Sequence, residues 1–473
     1  MQLNSFVKSK QKGVATFFFF ILICNSILGE SRPPLLISPI SLSEKDINFT
    51  DLKETEKKKS PKVPASWGGS SLSQETKKVD GFDMTVYSLA GGAWIYHKKV
   101  KLSSNTLEII GEEAYKGYLK GQTKVEDPEN GITLTAGKGI YDKAAETVVL
   151  EGRPTLYFTD KEKKVTKITS PYLKRYLSEN KTVFEGGAIV ENGEYTIYSD
   201  SAIFLEKDEA LLMENYPFIF GKDTFLTGEK VTYSNSSKNT VLENDTILLK
   251  LGYESQRKKK TLKKDSNKAE ANESKPESTT SEKIKTISLF TGEKMIYQTG
   301  DDETRYVGMF GNAKMIRDDF EFNASYIKAF GKENGNIEAK EGVTLLDKEN
   351  HVRLSGDLLE HSKEKNYSHM TENAMIEFLD KENTEVNSTM TSIEIERFGE
   401  KKEIVSRGEV NLVSNESTVN GEYATYFEES EKMFVDGNPS LKQDNKTVYC
   451  GRIIIYPNSD KIILTDGLNV NKK

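Results

Sequence analysis

A small residue followed two positions later by an apolar one recurs along this chain about every 30 residues, the spacing of a stacked repeat array. The pattern reads GGAWIY (91–96), GQTKVE (121–126), GRPTLYF (152–158), GGAIVE (186–191) and NYPFIF (215–220). It resumes as GNAKMI (311–316), GVTLLD (342–347), NAMIEF (373–378), GEVNLV (408–413) and GNPSLK (437–442). One register aligns the small residues Ala93, Thr123, Pro154, Ala188, Pro217, Thr246, Ala313, Thr344, Ala374, Val410 and Pro439. The apolar column two places on is Ile95, Val125, Leu156, Val190, Ile219, Leu248, Met315, Leu346, Ile376, Leu412 and Leu441. Units of this size bury an apolar face only by stacking, so the column constrains the chain to an array with one continuous core.

Between these segments lies a second set that includes TLTAGKGIYD (133–142), LTGEKVTYS (226–234), FTGEKMIYQ (290–298) and VNGEYATYF (419–427). Within segments the alternation has period two, as in Ile132, Leu134 and Ala136, which is a strand with one buried face. Turn signals such as Asn235-Ser236-Ser237 and Thr299-Gly300-Asp301 separate them. Each repeat is therefore two long antiparallel strands, and the mid-strand glycines mark places where a strand bends. Bent strands stacked in register give two facing sheets, in an array on the order of 100 Å long at about 4.8 Å per strand. Tyr 21 and Phe 22 against Trp 2 suit such pleated surfaces.

Only one interval is about twice the repeat, and it holds a polar tract at 254–283 (ESQRKKKTLKKDSNKAEANESKPESTTSEK). Its composition predicts a disordered insertion. The expected organisation is a signal peptide over 1–29, a disordered tether over 30–80, repeats over 81–253, the insertion, and repeats over 284–473. Lys8, Lys10 and Lys12 precede the apolar run VATFFFFILIC (14–24), which fits a secretory signal cut after Ser26 or Gly29. A retained membrane anchor is the alternative. Lipidation at Cys24 is disfavoured, because Ile21-Leu22-Ile23 supplies no small residue ahead of the cysteine. Loss of Cys24 with the signal leaves Cys450 alone and excludes an internal disulfide.

The strand pairs, T-x-x-G-x-x-h-x-Y followed by h-x-G-x-[AP]-x-h, resemble those of the OstA-like family of lipopolysaccharide-transport proteins over about 85–470. That resemblance implies an elongated, all-β, open jellyroll of V-shaped cross-section, with the acyl chains of lipid A in its groove. It further implies a periplasmic bridge from inner to outer membrane, paired by strand edges with homologous domains of the transport machinery or with itself. On this reading the apolar column, Ile95 to Leu441, is the candidate lipid path. No cofactor is expected.

Each feature also has a plainer reading. Stacked repeats bury an apolar column whether or not a ligand enters. Glu360, His361 and His369 lie close in sequence, but Glu360 and His361 point to opposite faces of a strand, so no metal site is expected. The sequence holds no recognisable Ser/His/Asp arrangement and no glycine-rich phosphate loop, and the expectation is a protein that is not an enzyme. With 66 basic and 73 acidic residues, no field favours nucleic acid. Lys57–Lys59 and Arg257–Lys260 fit solvated segments better than membrane-docking patches. Open strand edges are expected near Tyr87–Tyr96 and Lys461–Asn469. The alternative from another class is a secreted or surface-displayed β-repeat scaffold, an adhesin for host or matrix ligands, sealed inside and decorated outside.

Overall fold

The computed structural model describes residues 65–255, 283–299, 304–317, 320–332, 335–414, 416–444, 446–456 and 461–472. The described residues all belong to one compact unit. They are all-β, with 34 strands in one antiparallel sheet of jellyroll type. Among them no helix is long and apolar enough to cross a membrane.

Consecutive long strands pair as neighbours. Phe82–His97 pairs with Val100–Ile110, which pairs with Lys116–Asp127, which pairs with Ile132–Asp142. At the middle of every second strand the register slips, between Ala90 and Ala93, between Lys120 and Thr123, and again between Glu185 and Ala188. Two successive left-handed residues sit at each slip: Gly91–Gly92, Gly121–Gln122, Gly152–Arg153, Gly186–Gly187, Asn215–Tyr216, Asn244–Asp245, Gly311–Asn312, Glu341–Gly342, Glu372–Asn373, Gly408–Glu409 and Gly437–Asn438. Asp466–Gly467 repeats the device at the C-terminal end. A two-residue bulge bends its strand sharply, so these pairs are the corners of the fold. In several repeats the bend interrupts the strand altogether, as between Thr147–Glu151 and Thr155–Thr159.

The corners divide the sheet into two leaves. Residues before each corner, with the ends of the returning strands, form the first leaf. Residues after it, with the starts of the returning strands, form the second. Leu89, Leu107, Leu119, Leu150, Leu173, Phe184 and Met213 of the first leaf are buried. So are Ile95, Leu102, Val125, Leu134, Leu156, Ile168 and Val190 of the second. All belong to one apolar cluster that runs from Tyr87 to Ile455. Phe158 of the second leaf meets Phe204 of the first with ring centroids 5.1 Å apart, edge to face. Phe378 and Tyr426 repeat that contact at 5.3 Å.

Two boundaries are corrected. The last part of the expected tether, 65–79, is not a disordered segment but the strands Ala65–Gly68 and Ser71–Val79, paired with Phe82–His97. Its polarity misled because Ser71–Val79 exposes nearly every side chain; backbone pairing, not burial, holds it. The same strands cover Tyr87–Tyr96, so the N-terminal edge among the described residues is Ala65–Val79, guarded by Lys77 and Lys78. Among the described residues the C-terminal edge is Ile462–Thr465 with Asn469–Lys472, overlapping the expected Lys461–Asn469. Glu254, Ser255 and Lys283 belong to a paired ribbon, Asn239–Ser255 with Lys283–Thr299. The remainder of the insertion, 256–282, lies outside the described residues, as do the signal, Cys24 and residues 30–64.

Candidate functional site

The apolar column faces the space between the leaves. Ile95, Val125, Leu156 and Ile376 are fully buried, Val190, Ile219, Leu248 and Leu412 nearly so, and Leu441 is 8% exposed. Met315 is partly buried and packs against the same core. Leu346 is the exception. The register slip in Asn336–Asp347 falls between Lys340 and Val343, one residue earlier than the alignment on Thr344 supposed. Val343 is buried and Leu345 packs on the core, so these two occupy the column, and Thr344 and Leu346 lie out of phase. A single-residue shift turns every side chain to the other face. In this repeat Glu341 is the first left-handed residue and Gly342 the second; an alignment on the glycine therefore misses by one.

Where the free ends of the leaves meet, a polar seam forms, invisible in the repeat pattern because its members come from different repeats. His97 of the second leaf hydrogen-bonds through Nδ1 to the Tyr141 hydroxyl of the first at 2.7 Å. Its Nε2 lies 3.9 Å from Glu146, which also takes Lys98 at 3.3 Å. Burial holds the His97 imidazole below the usual histidine range, against the pull of Glu146. One repeat on, Arg175 of the first leaf is completely buried and donates to Asp127 of the second at 2.5 Å and to Glu206 at 2.8 Å. Thr182 donates to Glu206 at 3.2 Å. Burial pushes the Glu206 carboxyl up, outweighing Arg175 and Thr182. Asn130 meets Asn180 at 3.2 Å, Asn192 donates to the Tyr233 hydroxyl at 2.6 Å, and Asn235 donates to Asp160 at 3.0 Å. These ties all fall before residue 300.

Two openings lie on the seam. One is a cleft of about 420 Å³ in the middle repeats, between 160–166 and 192–195 of the second leaf and 209, 233–240 and Tyr297 of the first. The other is a smaller cavity of about 120 Å³ in the C-terminal repeats. Its rim is polar (Asp347, His351, Arg397, Glu428), whereas its depth is apolar: Leu345, Leu354, Leu359, Met370, Ile395 and Ile404. It leads from solvent into the core. At about 120 Å³ it is somewhat smaller than the roughly 150 Å³ apolar void that accepts benzene, so an acyl chain enters here only as the leaves part. At the rim Arg397 is held by Glu428, with Nε 2.7 Å from the carboxylate.

The histidines weighed as metal ligands have other partners. His361 Nδ1 lies 2.9 Å from the Ser368 hydroxyl, and His369 Nε2 lies 3.1 Å from Glu394. Glu360 stands opposite His369 across the ladder. Among the described residues no group of three metal-ligating side chains converges.

No family model matches the chain, and no curated protein matches it. Among solved structures, the chain is similar to LptH of Pseudomonas aeruginosa, the LptA homologous periplasmic component of the lipopolysaccharide transport device. The likeness has 17% identity and a TM-score of 0.21, and covers 23% of this chain and 76% of that one.

Proposed function

We propose that this protein is a periplasmic carrier for lipopolysaccharide that holds lipid A acyl chains between its leaves and passes them along the repeats from the inner to the outer membrane. The observation that supports this is a single apolar interior, running through the repeats from Tyr87 to Ile455 and opening to solvent at the Leu345–Ile404 mouth. Each methylene taken from water into such an interior gains about 0.8 kcal/mol. Movement from one repeat to the next exchanges like surroundings for like, so the barrier is the parting of the leaves. No residue then needs to do chemistry, and transport follows supply. Lipopolysaccharide is proposed among lipids because the strand-pair motif, T-x-x-G-x-x-h-x-Y with h-x-G-x-[AP]-x-h, resembles that of the OstA-like proteins, and the periplasm because the Lys8–Cys24 segment reads as a secretory signal.

The scaffold reading has one observation in its favour. In the N-terminal repeats the column is fully buried and the seam is tied by His97, Arg175 and Asn192, as a sealed adhesin stalk would be.

The two separate when the full chain is purified from envelope fractions and its bound lipid is extracted and weighed by mass spectrometry. The carrier yields lipid A-bearing species from a periplasmic pool. Lipid-free protein that protease reaches on intact cells would establish the scaffold instead.

A further inference from the structure

We propose that the cleft of about 420 Å³ in the middle repeats is a saccharide-binding site. Its size lies within the range of small-ligand pockets, about 300–1,000 Å³. The floor is a layer of three tyrosines, Tyr195, Tyr233 and Tyr297, drawn from both leaves. Their rings belong to the apolar core or pack against it. Their hydroxyls meet polar partners: Tyr195 is hydrogen-bonded to Tyr297, and Tyr233 to Asn192 at 2.6 Å. The layer is thus apolar below and hydroxylated above, the way tyrosine serves at boundaries with one wet side.

The walls add groups that both donate and accept. Asn192 and Asn235 offer amides, Asp160 and Glu194 carboxylates, and Lys161 and Lys164 ammonium groups. Acids and bases nearly balance around the cleft. A ligand held by charge alone, such as a nucleotide or an acidic peptide, finds no strong net field there, and a hydrocarbon finds no dry wall. A chain of sugar hydroxyls, each donor and acceptor at once, matches this mixture of amides, carboxylates and phenols. The cleft also stands over the core on the same seam that opens at the C-terminal mouth. A glycolipid with its acyl chains between the leaves would present its sugars at this level. The source of the sugar, though not the saccharide chemistry, rests on the carrier reading.

The test titrates full-length protein with lipid-free oligosaccharide released from lipopolysaccharide, following saturation transfer by NMR and heat by calorimetry. Maltotriose serves as the neutral comparison. Binding at or below about 1 mM is expected, the weak end for a small ligand. Tyr195→Phe, which removes one hydroxyl and keeps the ring, should weaken it several-fold. Lys164→Ala, on the exposed wall, should do the same without touching the core. Absence of binding, or binding that both variants leave unchanged, overturns the proposal. If oligosaccharide binds here while no acyl chain can be trapped between the leaves, the saccharide site stands and the carrier reading falls. If acyl chains are trapped and no oligosaccharide binds, the reverse holds.

Discussion

Asp127 and Arg175 belong to opposite leaves, 48 residues apart in sequence, and their carboxylate and guanidinium meet at 2.5 Å in the buried seam. Arg175 keeps a second carboxylate, Glu206, on its own leaf. The tie across the seam and the neutralisation of the guanidinium are therefore separable by mutation. Asp127→Asn leaves Arg175 neutralised by Glu206 and should cost about 1–3 kcal/mol, the scale of a weakened charge-assisted bond. Arg175→Met leaves two buried carboxylates without their cation and should cost about 3–5 kcal/mol. Denaturant melts read through the N-terminal repeats decide this, since long arrays need not unfold as one unit. Equal costs for the two variants would contradict the account.

Two buried groups should pull the pH dependence of those repeats in opposite directions. The Glu206 carboxyl is raised in the fold, so the native state holds its proton longer than the unfolded chain. Its contribution is fully present below the unfolded value near 4.5 and is lost as pH rises through the folded one. The His97 imidazole is lowered, so its contribution is present above the unfolded value near 6.5 and is lost as pH falls through the folded one. Glu206→Gln should flatten the decline above pH 4.5, and His97→Gln the decline below pH 6.5. Midpoints of urea unfolding across this range check both slopes.

The corrected register gives a sharp comparison. Ile376→Ala, at a fully buried column position, should cost about 2–5 kcal/mol. Leu345→Ala should cost less, about 1–2 kcal/mol, because Leu345 is only partly buried on the core. Leu346→Ala, out of phase with the column, should stay within about 0.5 kcal/mol. A larger loss at Leu346 than at Leu345 would restore the alignment on Thr344.

The corners predict a backbone effect free of packing. Gly187 has φ 105° and an added Cβ would meet nothing within 4 Å. Gly187→Ala should still destabilise, by about 1–2 kcal/mol, through the backbone conformation alone. Glu372, at φ 58° in an equivalent corner, should tolerate Glu372→Gly with little loss. Thermal melts of both variants settle it.

Much of this fold was legible because its period is written in single residues. The small-x-apolar pattern located nearly every corner, since the bend follows immediately on a left-handed pair and the core resumes beyond it. At Glu341–Gly342, where the pair's glycine comes second, the alignment slipped by one and chose Leu346 over Leu345. Ser71–Val79 escaped notice because a strand held by backbone pairing alone leaves no apolar alternation. The seam escaped for a different reason. Asp127, Arg175 and Glu206 converge only once the leaves close, and single polar residues near strand ends carry no periodic signal. A lone arginine in an otherwise alternating strand, YLKRY at 172–176, was the one available hint.

The proposed carrier requires lipid between the leaves. Its most direct test places a photo-crosslinking side chain at Leu354 and Ile404 of the mouth, at Leu156 of the tied repeats, and at the outward-facing Val413, in cells. Lipopolysaccharide adducts at the three inner positions and none at Val413 are the predicted result. Folded protein that forms no adduct at any inner position would make the column an ordinary core, and the carrier account would be wrong.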